Sequence, residues 1–227
     1  MTSRKLRAAV SVLALVAVGA FWSNSAQAQW TIGLGSLGAS ESEAVLLSSP
    51  GETFTITTKV LGTSVLLTAN GIGCPCFIEG QNFGTDHGSG TFEFSSITVD
   101  QPSSKCGVVG FKSKPLKFEA IMDPKSAFGP VFVKFSPQFG ETFMEIEFWG
   151  VECPLSGVVL ALKGTLTAQF KSPTGTSIST QTLTFSNAAQ ETGGGSIKAG
   201  KEAMTFSGVA KMELFGSHAF QVFGADE

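Results

Sequence analysis

From residue 54 onward, apolar and polar side chains take turns along the chain. Phe54, Ile56, Thr58 and Val60 fall on one beat, and Thr55, Thr57 and Lys59 on the other. A period of two places alternate side chains on opposite faces of a sheet, one dry and one wet. The same beat returns in Leu116, Phe118, Ala120 and Met122, in Val131, Val133 and Phe135, and in Met144, Ile146 and Phe148. It continues through Val158, Leu160 and Leu162, then Leu166, Ala168 and Phe170, and comes back in Ile178 to Phe185. Val65 to Ala69, Met204 to Leu214 and Ala219 to Phe223 are further strand segments. In Thr91 to Val99 the beat changes phase at Ser95-Ser96, which predicts a bulge or kink.

Turn residues separate these runs: Asn70-Gly71, Asp123-Pro124, Gly129-Pro130 and Ser172-Pro173-Thr174-Gly175. The last joins Leu166–Phe170 to Ile178–Phe185, the clearest hairpin in the chain. Lys198 to Glu202 reads as a tight charged turn, and Gly193-Gly194-Gly195 as a flexible connection. Roughly ten to thirteen short strands with short turns predict an all-β fold, a single-domain antiparallel β-sandwich with a closed β-barrel as the alternative.

The N-terminus breaks the pattern. Arg4, Lys5 and Arg7 precede an uncharged apolar run from Ala8 to Phe21, and a polar segment ends in Ala26-Gln27-Ala28. Positive start, short apolar core and small-x-small ending are the three parts of a secretory signal peptide. The run is shorter than the ~20 apolar residues that a membrane-crossing helix needs. The organisation expected is therefore a signal peptide at 1–28, a Gly/Ser-rich N-terminal segment at 29–50 and a β domain at 51–227. Glu41 to Leu47 within that segment fits either a helical turn or a first strand.

Removing 28 residues from 227 leaves 199, enough for one β domain. It also removes three of the 15 basic residues and none of the 18 acidic ones, so 12 face 18 and the net charge is about −6. Without a Lys/Arg cluster the chain lacks the electrostatic footprint of a nucleic-acid binder. The 20 Phe and 27 Gly suit half-buried strands and tight turns, and Tyr is absent. Packed inward, the phenylalanines make a core; lining a void, they would hold an apolar ligand.

Cys74, Cys76, Cys106 and Cys153 are even in number in a chain expected to be exported, so they read as disulfides. Three connectivities are open. A bridge within Cys74-Pro75-Cys76 is disfavoured by the Cβ separation and torsion a disulfide requires. The arrangement favoured is that each of these two pairs with one of the distant cysteines. A Cys106–Cys153 bridge would close a loop of about 46 residues, worth about 4 kcal/mol in the chain-entropy account. Zinc binding by Cys-Pro-Cys lacks the usual Cys-x2-Cys spacing and nearby His.

Asp86-His87-Gly88-Ser89-Gly90 brings an acid, a base and a hydroxyl together, yet catalytic triads assemble from distant segments, and a polar turn is the simpler account. Glu145 and Glu147, with Glu152 close by, could serve glycoside hydrolysis, but alternate carboxylates on a strand ordinarily mark its wet side. Only Trp30 and Trp149 remain as large aromatic platforms after residue 28. His218, the other histidine, stands alone. No residue is assigned a catalytic, cofactor-binding or metal-binding role, and no cofactor is expected.

Ser103-Ser104-Lys105-Cys106, Lys114-Pro115-Leu116-Lys117, the Phe143–Phe148 strand before Cys153-Pro154-Leu155, Lys163-Gly164-Thr165-Leu166 and Thr182-Leu183-Thr184-Phe185 follow one another in a recognisable order. This stretch, Ser103 to Phe185, resembles a family of exported β-rich bacterial proteins without an assigned function. The resemblance implies secretion and β structure, and carries over no site. Cys74-Pro75-Cys76 departs from the family's pattern.

The function expected is that of an exported, non-enzymatic protein with a binding or structural role at or outside the cell envelope, either secreted or held in the periplasm or at the cell surface. Its partners would include neither nucleic acid nor a membrane crossed by the processed chain, and β edges could mediate self-association. The alternatives are a secreted hydrolase and a barrel carrier of a small apolar ligand. Export makes one direct prediction. Intact-mass measurement of protein recovered outside the cytosol gives a chain starting at Gln29; a retained residue 1 refutes the leader assignment.

Overall fold

A computed structural model describes residues 29–32, 35–38, 41–49, 51–80, 87–110, 112–123, 130–171, 180–215 and 223–226. The expected signal peptide, Asp86, His218 and the turn at 172–175 lie outside the described residues.

In chain order the first strands are β1 (Gln29–Ile32), β2 (Gly35–Ser36), β3 (Ser42–Ser48), β4 (Phe54–Val60), β5 (Thr63–Ala69) and β6 (Gly71–Glu79). β7 (His87–Gly90), β8 (Glu93–Ser95), β9 (Thr98–Gln101), β10 (Gly107–Val109), β11 (Leu116–Met122) and β12 (Val131–Pro137) follow. Then come β13 (Thr142–Trp149), β14 (Val159–Lys171), β15 (Thr180–Phe185) and the single described helix α1 (Asn187–Thr192). The chain ends with β16 (Ser196–Ala199), β17 (Glu202–Ala203), β18 (Thr205–Phe215) and β19 (Phe223–Asp226). The fold is all-β.

Eight strands close a ring in strict chain order: β3, β6, β7, β11, β12, β14, β15 and β18, with β18 returning to β3. Every pairing in it is antiparallel, so successive connections alternate between the two mouths. The connections β3 to β6, β7 to β11, β12 to β14 and β15 to β18 are therefore all at one mouth. These four carry β4–β5, β8–β10, β13, and α1 with β16–β17, and the additional strands form a second layer there. Glu41 to Leu47, compatible from sequence with a helical turn or a strand, falls in β3 but for Glu41, and β3 closes the ring.

Two long strands belong to both layers. The N-terminal part of β14 pairs with β13 and β16, and its C-terminal part with β12 and β15. The partners change just past Gly164, whose φ of 109° and close approach to the Ser196 carbonyl oxygen leave no space for a Cβ. β18 similarly joins β4 at Thr205–Ser207 and the ring beyond it. At Gly208 a Cβ would overlap the ring of Phe54.

The inward beat matches the alternation of the sequence, and Thr58, the polar member of β4's inward set, is buried with its hydroxyl donating to the Ala203 carbonyl at 3.3 Å. The beat breaks in two instructive places. Phe143 and Met144 are both buried because a register shift between Thr142 and Met144 interrupts the β13–β14 pairing. Ile121 and Phe132 are buried on the ring's outer wall because α1 covers them, with Ala189 packed between. Ser186 caps α1 by accepting from the Ala189 N–H at 3.1 Å, and Gln190 Oε1 accepts from the Thr167 N–H at 3.1 Å. Further along, the expected kink at Ser95-Ser96 is a break between β8 and β9 at Ser96, with φ 49°.

Phenylalanine fills the interior. The ring of Phe185 lies 5.1 Å from Phe206, 5.9 Å from Phe54, 6.1 Å from Phe135 and 6.4 Å from Phe92, centroid to centroid. Phe92 in turn meets Phe94 and Phe143, so one core runs from the ring into the second layer. At the opposite mouth Trp30 of β1 is fully buried, edge-on to Phe118 at 6.2 Å and Phe170 at 5.8 Å. An eight-stranded barrel is just wide enough for side chains to fill, and these rings occupy the space an apolar ligand would need.

The disulfides correct the favoured connectivity. Cys74 pairs with Cys76 and Cys106 with Cys153. The period of β6 turns both Cys74 and Cys76 inward with Pro75 outward, and their Cα atoms are 5.3 Å apart. The neighbouring β7 makes room. Its His-Gly-Ser-Gly sequence is a strand rather than the expected turn. His87 and Ser89 face outward, while Gly88 and Gly90 face in. A Cβ on Gly90 would overlap both sulfurs, and one on Gly88 the ring of Phe118.

These contacts give a graded expectation for denaturant unfolding. Phe185→Ala costs about 3–5 kcal/mol as a large core truncation. Gly90→Val costs about 1–3 kcal/mol through overpacking, whereas Ser89→Ala on the same strand stays within about 0.5 kcal/mol. Equal effects at Gly90 and Ser89 refute the inward–outward assignment of β7.

Candidate binding face

The residues singled out from sequence occupy two separate outer surfaces. On the wall of the ring, cross-strand pairing sets Glu79, His87 and Glu119 in one row. His87 Nδ1 lies 3.9 Å from Glu119 Oε1, and Lys117 Nζ 3.7 Å from the same oxygen. Ser89 Oγ donates to Glu79 Oε1 at 3.4 Å. His87 and Ser89 stand two positions apart on an extended strand, roughly 6.8 Å along it, too far for a nucleophile–base hydrogen bond. The arrangement is a solvated ladder of charges. Among the described residues no group of three or more His, Cys, Asp or Glu side chains is placed to hold a metal ion.

Beside this ladder the wall turns apolar. Leu46, Phe77 and Phe215 are exposed, and register sets Phe215 and Phe77 on either side of Ala44, with Leu46 opposite Pro75. Elsewhere the wall carries Lys117, Lys134, Lys171 and Lys211. Charge outside and phenylalanine inside is the reverse of a membrane-spanning barrel. The strands ending the pairing path are short: β8 and β10 have three residues each, β9 four and β17 two. Short edges offer little template for strand addition.

The second surface lies on the outer layer, where β13 presents Glu145, Glu147 and Trp149 outward in one line. Register places Glu147 between Val109 of β10 and Val159 of β14, both exposed. Lys114 Nζ pairs with Glu145 at 2.6 Å, and Lys112 Nζ with Glu93 at 2.6 Å. Val109, Gly110, Lys112, Lys114, Glu145, Glu147 and Val159 bound an open groove of about 340 Å³. Glu147 makes no ion pair with any described residue.

Trp149 stands next along the strand, opposite Gly107. A Cβ on Gly107 would overlap the indole at Cε2, Cζ2 and Nε1, so the ring lies directly on the β10 backbone. The side chain remains 57% exposed. Three features fix it from behind. Cys106, the residue before Gly107, is bridged to Cys153 with Cα atoms 4.7 Å apart. Gly150 turns the chain at φ 130°, with the Lys105 carbonyl where a Cβ would sit. Lys105 pairs with Glu152 across the same turn. The outcome is a rigid aromatic plate beside a carboxylate.

As a hydrolase this face is poorly equipped. A general acid must be held protonated, which takes burial or an adjacent negative charge. Glu145 and Glu147 are both exposed, and Glu145 is neutralised by Lys114. No protein-family model, curated protein or solved structure matches the chain.

The two tryptophans after residue 28 report separately. In a Trp22→Phe background, fluorescence divides into a blue-shifted component from Trp30 that acrylamide barely quenches, and a red-shifted, readily quenched component from Trp149. Trp149→Phe removes the second component alone. A single quenchable population contradicts the buried position of Trp30.

Proposed function

We propose that the protein is an exported, non-catalytic binding protein of the cell envelope or its exterior, built as a closed barrel with a strand layer over one mouth. The leader at 1–28 and two disulfides fit an oxidising compartment. The carrier alternative loses support from the aromatic rings packed through the interior, and the hydrolase alternative from the two exposed glutamates. The observation that carries the proposal is Trp149: large, more than half in solvent and seated on Gly107, whose neighbour Cys106 is bridged to Cys153. A large aromatic group left in water is worth keeping there when a ligand covers it, and preorganisation lowers the entropy lost on binding.

The apolar patch at Leu46, Phe77 and Phe215 favours a second reading, a structural contact made through the ring wall. One experiment separates the two. Purified protein is sedimented with isolated envelopes of the producing cells, and the bound fraction measured for Trp149→Ala and Phe77→Ser. A binding role for the outer layer predicts about a tenfold or greater loss of affinity for Trp149→Ala and little change for Phe77→Ser. The opposite result assigns the contact to the ring wall, and an affinity unchanged in both variants refutes both readings.

A further inference from the structure

We infer that the ligand of the Trp149 face is a saccharide, a pyranose unit of an envelope or extracellular polysaccharide stacked on the indole with its hydroxyls turned to Glu147. This rests on the reading of that face as a binding surface and adds the chemical class of what it takes.

The face offers two kinds of group in register. The indole presents an electron-rich ring face, since an aromatic quadrupole is negative above the plane. Its orientation is set by the backbone beneath: the ring rests on Gly107, so its outer side is the one presented. Roughly 6.8 Å along the same strand stands Glu147, a carboxylate with no ion pair to any described residue and an acceptor when ionised. The complementary ligand therefore carries weakly positive C–H groups on one flat side and O–H or N–H donors at its rim. Pyranose rings have this character, with axial C–H bonds on a face and equatorial hydroxyls around it.

The groove that Glu147 shares with its neighbours adjoins the indole without being lined by it, and agrees in size and chemistry. At about 340 Å³ it lies at the lower end of the ~300–1,000 Å³ usual for ligand sites. It is shallow and open, as suits a segment of a long chain laid across a surface. Its polar groups, Glu145 paired with Lys114 and Lys112 paired with Glu93, are satisfied without a ligand and can share hydrogen bonds with hydroxyls. A purely apolar partner would leave Glu147 desolvated and unpaired, which is costly. A cationic peptide would gain from Glu147 alone, because Glu93 and Glu145 are already paired with Lys112 and Lys114.

The test uses the exported protein and protein-free polymers: cellulose, chitin and purified peptidoglycan sacculi, each in a sedimentation assay, with poly-lysine as a cationic comparison. At least one glycan is expected to bind. Trp149→Ala should lower its affinity about tenfold or more, while Trp149→Tyr, which keeps an aromatic face, retains most of it. Glu147→Gln should lower it several-fold, and Phe77→Ser should not change it. Thermal melts of the variants check that each is folded. If the sacculi and the other glycans fail while whole envelopes still bind through Trp149, the saccharide inference falls and the binding face stands. Glycan binding that survives Trp149→Ala, or Trp149-dependent binding of poly-lysine alone, overturns it as well. Absence of both envelope and glycan binding in the unsubstituted protein overturns the face itself.

Discussion

The phenylalanine interlock around Phe185 is the constraint on which the rest of the structure depends. Its ring touches residues from β4, β12, β18 and the segment before β8, so one side chain ties the ring to the strands stacked on its mouth. Edge-on and tilted contacts between these rings add about 0.5–1.5 kcal/mol per pair beyond the area they bury. The cost of such dense aromatic filling is space, and the chain supplies it with glycine. Gly88 yields to Phe118, Gly90 to the Cys74–Cys76 bridge and Gly208 to Phe54. At Gly88 and Gly208 the glycine is there because a phenylalanine ring is.

Much of this was legible residue by residue. The alternation in Phe54–Val60 and Leu116–Met122 named the inward faces, and the Leu166–Phe170 and Ile178–Phe185 runs named a true antiparallel pair. Ring closure was not legible, because β18 meets β3 across most of the chain and no local signal records that pairing. β7 was hidden because Gly88 and Gly90 lack strand propensity. They are there for what their neighbours need. The cysteine connectivity went astray for a related reason: spacing argued against a bridge across one residue, whereas the pleat of β6 sets both sulfurs on one side.

The outer face shows the same division. Glu145, Glu147 and Trp149 were readable as one side of a strand. Their significance comes from Gly107, forty residues or so earlier, which register places under the indole. A glycine that follows a cysteine looks like a turn in sequence; opposite a tryptophan it becomes a seat. α1 escaped notice because six residues, Asn187–Thr192, carry too little periodicity, although Ser186 is a suitable cap.

β14 runs through both layers without interruption, and so does β18. Neither tier has a seam at which it could come away alone. Fluctuations that part β13 from β14 along Met144–Glu147 pull on a strand that is also hydrogen-bonded into the closed ring. Amide exchange along β14 is thereby coupled to global cooperativity, whereas the three-residue β10 beneath the indole has only β13 to hold it. The outer layer inherits its stiffness from strands whose other ends never reach it.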